Sequence, residues 1–311
     1  MTNAALFPGQ GSQKVGMLNE LSEVYPLVGE TFEAASGVLG YDLWKLVQEG
    51  PTEELTKTQN TQPALLTASV ALWRIWQIDA PVKPDYLAGH SLGEYTALTA
   101  SNSFSIKDAA LTLKIRGRAM QSSVGKNKGS MAAILGLNID QIEEIITKNK
   151  LQDDVFIAND NADGQVVLSG LKEGIESSLE IFKENGARKA MKLAVSAPFH
   201  CPLMSPAQEI MENSLSSIKL DTPDVPVISN VTVDFSNDED QIKNNLVNQV
   251  TKMVRWRETM IKFIDLGVKE FYEIGSGSVL SNLAKRSCPS FKRKSAGNKE
   301  SLESLLLELD N

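Results

Sequence analysis

The chain has 311 residues, 42% of them hydrophobic and 23% charged, with a net charge of −8. That length allows a large buried core and one or two domains, and the acidic balance argues against a nucleic-acid binder. Two cysteines, Cys201 and Cys288, offer neither a metal spacing nor a disulfide framework, which fits a reducing compartment. No basic and apolar leader opens the sequence, and no apolar run approaches the roughly 20 residues of a membrane span. A cytoplasmic monomer with no membrane or nucleic-acid partner is therefore expected.

Ala4 to Phe7 reads as a short apolar strand followed at once by Pro8-Gly9-Gln10-Gly11-Ser12-Gln13. The glycines let backbone approach a ligand, and Gln10 sits at the carboxyl end of a strand, where open α/β sheets bind ligands. The Gly-Lys-Ser/Thr ending of a phosphate loop is missing. Leu18 to Tyr25 and Val28 to Leu39 have helical spacing, the second closed by Gly40. Leu43 to Gln48 and Glu53 to Thr58 are short helices. Ala64 to Ile78 is a long apolar helix with Pro63 suited to its first turn, and Trp73 and Trp76 are packing residues.

Val82 to Ala88 is a strand that runs into Gly89-His90-Ser91-Leu92-Gly93-Glu94-Tyr95. Gly-x-Ser-x-Gly between a strand and a helix is the nucleophile-elbow pattern: residues without Cβ relieve crowding and let Ser91 project. The helix that follows aims N–H groups and its positive end at the same point, which suits a developing oxyanion. Only His90 and His200 are available as a base. Neighbours on an elbow point apart, so His200 is the better candidate, on a loop held by Pro198 and Pro202.

Ser105 opens a helix over residues 106–122 with Ala109, Leu111, Leu113, Ile115, Ala119 and Met120 all round it, the pattern of a buried helix. Arg116 and Arg118 lie on it, two residues apart and so on nearly opposite sides. A buried arginine needs an anionic partner: a structural carboxylate, or the carboxylate of a substrate, which a guanidinium fork matches in two-point fashion. Spacing favours neither arginine.

After a polar joint at residues 125–129 the rhythm changes. Met131 to Leu137 is a strand, and Asn138 or Asp140 caps a helix to Lys148. Val155 to Ala158 and Gln165 to Ser169 are strands, Glu173 to Asn185 is a helix, and Ala190 to Val195 is a strand. The order β-α-β-β-α-β is that of a ferredoxin-like unit. The expected fold is α/β: a hydrolase-like parallel-sheet core with a nucleophile elbow, residues 1–125 and 196–311, and an inserted ferredoxin-like small subdomain, residues 126–195, with the site in the cleft between them. Beyond His200 come a helix (Ser205 to Ile218), a strand (Val225 to Ser229), an acidic loop (Asp234 to Asp240) and helices at Ile242 to Val250 and Arg255 to Leu266. A strand (Lys269 to Ile274) and a helix (Val279 to Arg286) follow. Phe291 to Lys299 reads as a basic connector before a terminal helix (Ser301 to Leu309).

Seven stretches occur together in this order: Phe7-Pro8-Gly9-Gln10-Gly11-Ser12-Gln13, the elbow, Arg116-Gly117 with Met120-Gln121, Gly164-Gln165-Val166-Val167 with Ser169-Gly170, Ser196-Ala197-Pro198-Phe199-His200, Gln249 with Val254-Arg255-Trp256, and Glu273-Ile274-Gly275 with Gly277. Together they resemble the malonyl-CoA:acyl carrier protein transacylases of bacterial fatty acid synthesis, from about Phe7 to Lys285. The resemblance implies Ser91 as nucleophile, His200 as base, Arg116 as clamp for the malonyl carboxylate, and the N–H groups of Gln10 and Leu92 as oxyanion donors. It also implies that the main-chain carbonyl of Gln249 orients His200 in place of an aspartate, and that Asn159 lies near the site. Malonyl-CoA is then a substrate and phosphopantetheine is carried by the acyl carrier protein partner, so no cofactor of the chain's own is expected. Arg188, Lys189, Lys192, Lys285 and Arg286 are candidate docking positions for the anionic partner. Met253 and Asp163 stand where the family usually has proline. A serine hydrolase with the same dyad, a non-catalytic binding module and a transacylase serving polyketide synthesis are the rival readings.

Overall fold

The computed structural model describes residues 2–125, 127–195 and 197–309. Positions 126 and 196, where the two expected subdomains meet, lie outside the described residues, as does Ser196 of the His200 motif.

In chain order the first part contains β1 (Asn3–Phe7), α1 (Asn19–Ser22), α2 (Pro26–Leu39), α3 (Leu43–Glu49), α4 (Thr52–Leu55), α5 (Thr58–Asp79), β2 (Tyr86–Gly89), α6 (Leu92–Ala100) and α7 (Ile106–Ser122). Then come β3 (Gly129–Leu135), α8 (Ile139–Lys148), β4 (Val155–Ala162), β5 (Gln165–Leu171), α9 (Lys172–Glu184) and β6 (Lys189–Lys192). After a 3-10 turn (Pro202–Met204), the chain forms α10 (Ser205–Ser216), β7 (Val227–Ile228), α11 (Glu239–Gln249), α12 (Trp256–Asp265), β8 (Glu270–Ile274), α13 (Val279–Ser287), β9 (Lys292–Ala296) and α14 (Lys299–Leu309).

Two sheets result. The first has five parallel strands in the order β7-β2-β1-β8-β9. β1 and β8 are buried along their whole length, as strands covered on both faces must be, which explains the unbroken apolar run at Ala4 to Phe7. Phe7 pairs with Gly89 at the carboxyl ends of β1 and β2, so the Gln10 loop and the Ser91 turn emerge side by side. The second sheet is antiparallel in the order β4-β5-β3-β6. With α8 and α9 it completes the expected ferredoxin-like order, and Ile142, Ile145, Ile175 and Phe182 fill its own core. Asn138, not Asp140, caps α8, in a reciprocal box with Gln141.

The two sheets are joined near the cleft. Val254 donates to the Ala158 carbonyl at 2.9 Å and accepts from the Asp160 N–H at 3.0 Å. Arg257 pairs with the buried Asp160 carboxylate at 2.8 Å.

Several expected elements are corrected. The first expected helix shrinks to Asn19–Ser22, because Leu18 turns left-handed and Pro26 opens the next helix. Pro63 lies inside α5, not in its first turn. The buried polar side chains ahead of it, Asn60 and Thr61, bond back to the carbonyls of Glu54 and Leu55 and carry the helix upstream. β2 starts only at Tyr86, after Pro84. The basic stretch read as a connector contains β9, which pairs with β8 from Lys292 to Ala296. On α7, Leu111 is 39% exposed, so that helix is buried on one side only.

Candidate active site

Ser91 occupies the turn between β2 and α6 at φ 56° and ψ −112°, a conformation costly for a residue with a side chain. The geometry is imposed by backbone crowding. A Cβ on Gly89 would lie 1.8 Å from the Gly93 carbonyl oxygen, and one on Gly93 would lie 2.2 Å from that of Phe7. Only glycine at both places lets β1, β2 and α6 converge. Asn230, just beyond β7, secures the turn: its Oδ1 accepts the Ser91 N–H at 2.7 Å and its Nδ2 donates to the Gly89 carbonyl at 2.8 Å.

His200 also has positive φ, 58°, and is 4% exposed. Its Nε2 is 2.7 Å from Ser91 Oγ and its Nδ1 is 2.8 Å from the Gln249 carbonyl oxygen. A carbonyl can only accept, so Nδ1 carries the proton and Nε2 offers its lone pair to the serine hydroxyl. Burial, and then the positive charge of Arg116, holds the imidazole down at about 3. It is therefore neutral, the state a base needs.

Arg116 comes from α7 and is 1% exposed, while Arg118 is exposed on the other side of the helix. The structure thus separates the two arginines that spacing left equal. The guanidinium donates to Gln62 Oε1 at 2.9 Å, Gln249 Oε1 at 2.8 Å and Ser91 Oγ at 3.2 Å, all of them neutral groups. It also lies over the Tyr95 ring, 5.5 Å from its centroid. Burial lowers its affinity for the proton, against the pull of Tyr95 and Glu94.

Gln10, Ser91, Leu92, Arg116, Asn159 and His200 all line one cleft of about 960 Å³. Leu92 is the first residue of α6, so its N–H has no acceptor within the helix. Gln249 is 0% exposed and lies behind the cleft. Its role is larger than the resemblance implied. The main chain holds His200, while the amide Nε2 donates to the Ser91 carbonyl at 2.9 Å and to Glu94 Oε2 at 2.6 Å.

Reading the sequence missed Glu94, Asn230, Gln62 and the pairing of His90. Glu94 is 3% exposed, and burial pushes its carboxyl up to about 7 against several hydrogen bonds and the charge of Arg116. The one acidic or basic residue in the elbow helix was the available signal. Gln62 belonged to a polar run at the head of α5. His90 makes no bond to the Ser91 hydroxyl: its Nε2 is 2.8 Å from Asn161 Oδ1 and its ring packs beside Trp256.

The five basic docking candidates are all exposed but do not form one group. Arg188, Lys189 and Lys192 follow the β6 edge of the second sheet. Lys285 and Arg286 end α13, which packs on β4 at the opposite edge. Lys192 lines the cleft and pairs with Glu176 at 2.5 Å. Asp163 and Gly164 form the β4–β5 turn, with Gly164 left-handed at φ 67°. Met253 immediately precedes the Val254 bridge. Among the described residues no group of His, Cys, Asp and Glu could hold a metal ion, and no helix is long and apolar enough to cross a membrane.

The acyl transferase domain family matches residues 5–304. The malonyl CoA-acyl carrier protein transacylase of Haemophilus influenzae is 46% identical over 284 residues, 91% of each chain. The chain belongs to this transacylase family. The Escherichia coli K12 member is 45% identical over 283 residues, 91% of this chain and 92% of that one. The acyl carrier protein S-malonyltransferase of Vibrio cholerae superposes with a TM-score of 0.95 at 42% identity, covering 98% of this chain and all of that one. A malonyl-transacylase solved in complex with a type II polyketide acyl-carrier protein gives 0.96 at 42% identity, covering 99% and 100%. As a member of the transacylase family the chain is an acyltransferase, and its mixed α/β fold is the family's.

Proposed function

We propose that this transacylase moves the malonyl group from malonyl-CoA to the phosphopantetheine thiol of acyl carrier protein, through a malonyl ester on Ser91, and so supplies the extender unit for fatty acid elongation. His200 Nε2 takes the Ser91 proton as Oγ attacks the thioester carbonyl. The oxyanion forms against the N–H groups of Gln10 and Leu92, each worth about 3 kcal/mol of barrier. Collapse breaks the carbon–sulfur bond, His200 returns the proton to sulfur, and CoA leaves. The carrier thiol then repeats the sequence on the ester, giving ping-pong kinetics.

The observation that carries this reading is Arg116: a buried cation within 3.2 Å of the nucleophile whose hydrogen bonds all go to neutral groups. A buried charge with no counter-charge bonded directly to it is expensive. Glu94 reaches Arg116 only through the Gln249 amide, and the carboxylate of a malonyl group on Ser91 supplies a direct counter-charge. The names of the relatives agree with this substrate pair. Because Lys192 lines the cleft, Arg188, Lys189 and Lys192 are the better-placed docking group for an anionic carrier protein, and Lys285 and Arg286 a second, separate one.

Intact-protein mass spectrometry tests the scheme. Brief mixing with malonyl-CoA is expected to leave a malonyl adduct on the wild type and none on Ser91→Ala, and holo carrier protein is expected to remove it as malonyl-carrier. An adduct lost as free malonate at the same rate with and without carrier protein would make the enzyme a hydrolase.

A further inference from the structure

Ser91 and Glu94 stand at the N-cap and third position of α6, the Ser-x-x-Glu spacing that ordinarily closes on itself, with serine oxygen and glutamate each taking one free N–H. Neither bond is made. Ser91 Oγ faces His200, and the Ser91 N–H goes to Asn230. The Glu94 carboxylate turns inward, where one oxygen, Oε2, accepts from Gln249 Nε2 at 2.6 Å and from the Asn230 N–H at 3.1 Å. Facing two N–H donors, Oε2 acts as an acceptor in either charge state of the carboxyl. Together with the Ser91 carbonyl, which takes the other Nε2 proton at 2.9 Å, it fixes which end of the Gln249 amide faces it. The amide oxygen is thereby left facing Arg116 at 2.8 Å. Rotated by half a turn, the amide would set a donor against the guanidinium donors. The main-chain carbonyl of the same glutamine holds His200 Nδ1.

We propose that Glu94 is a positioning residue for the transfer: through Gln249 it aims Arg116 at the acyl carboxylate and steadies the residue that orients His200. The proposal rests on the transacylase reading and adds to it a specificity determinant that does not touch substrate.

The test compares acylation of Ser91 by malonyl-CoA and by acetyl-CoA, followed by rapid quench and intact mass, in the wild type and in Glu94→Ala, Glu94→Asp and Glu94→Gln. The readout is the malonyl-to-acetyl ratio of rate constants, which is independent of the folded fraction. Glu94→Ala and Glu94→Asp remove or withdraw the acceptor, and the ratio is expected to fall at least about tenfold, as for loss of a hydrogen bond to a charged group. Glu94→Gln keeps an oxygen that can accept from both donors, and is expected to hold the ratio within about threefold of the wild type. If Glu94→Ala does not fold, the Asp and Gln variants decide between them. An unchanged ratio in Glu94→Asp overturns the proposal, as does a Glu94→Gln variant as impaired as Glu94→Ala. Parallel loss with both donors and a lowered melting temperature makes Glu94 a packing residue only. A wild type that malonyl-CoA does not acylate refutes the transacylase reading itself, a distinct result.

Discussion

Replacing Arg116 by alanine separates substrate recognition from chemistry. The guanidinium is 1% exposed and points at Ser91 Oγ from 3.2 Å. A malonyl carboxylate bound there gains two charge-assisted hydrogen bonds, each worth about 1.5–3 kcal/mol. Their loss is about 3–6 kcal/mol, or two to four decades in the rate of Ser91 acylation. An acetyl group has no carboxylate to lose, so its acylation is expected to fall far less. The variant also strands Gln62 Oε1 and Gln249 Oε1 and lowers stability, but folded fraction cancels in a ratio. Stopped-flow release of CoA from malonyl-CoA and acetyl-CoA, at matched enzyme concentration, gives that ratio. Equal losses for the two donors would remove Arg116 from substrate recognition.

Three further outcomes follow from the geometry. His200 titrates near 3 when folded and near 6.5 when unfolded, so the unfolded chain binds more protons between those values and stability falls as pH is lowered through that window. The slope is at most about 1.4 kcal/mol per pH unit, and His200→Gln should flatten that part of a melting-temperature profile; an unchanged profile would place the imidazole in water. Gly93→Ala drives a Cβ into the Phe7 carbonyl and is expected to yield no soluble, acylatable protein, whereas soluble enzyme with normal acylation would contradict the close approach. Lys192→Glu should raise KM for carrier protein several-fold in low salt, leave KM for malonyl-CoA near the wild type, and lose its effect as salt screens the surface. Equal effects on both substrates would relocate the docking surface.

What could be read in the sequence was local. The elbow announces itself because Gly89 and Gly93 are forced by backbone contacts within a few residues. The Gln10 loop is legible for a similar reason, as a glycine pair at the end of an apolar strand. β9 was misread because Lys292, Arg293 and Lys294 look like linker: an edge strand pairs on one side only, and charge there protects the edge. The role of Glu94 is not legible from local spacing, since Ser-x-x-Glu is a helix start wherever the serine is not needed elsewhere. Its true partners, Asn230 and Gln249, lie 136 and 155 residues away. Arg116 and Arg118 looked alike for the same reason. Which one faces the serine depends on how α7 packs on α5, and no spacing along one helix reports that.

The bridge between Val254 and β4 bears on how substrates enter. Val254 follows Gln249 by five positions, and two main-chain hydrogen bonds with the Arg257–Asp160 pair rivet it to the antiparallel sheet. A hinge that swung this sheet outward would tug the very segment that steadies the histidine and the arginine, so a gaping enzyme would be a disarmed one. The wall of the cleft is thereby tied to the main chain that holds His200. For the proposed transfer, selection against bulky acyl groups is then expected to depend on the bore of the cleft more than on its closure.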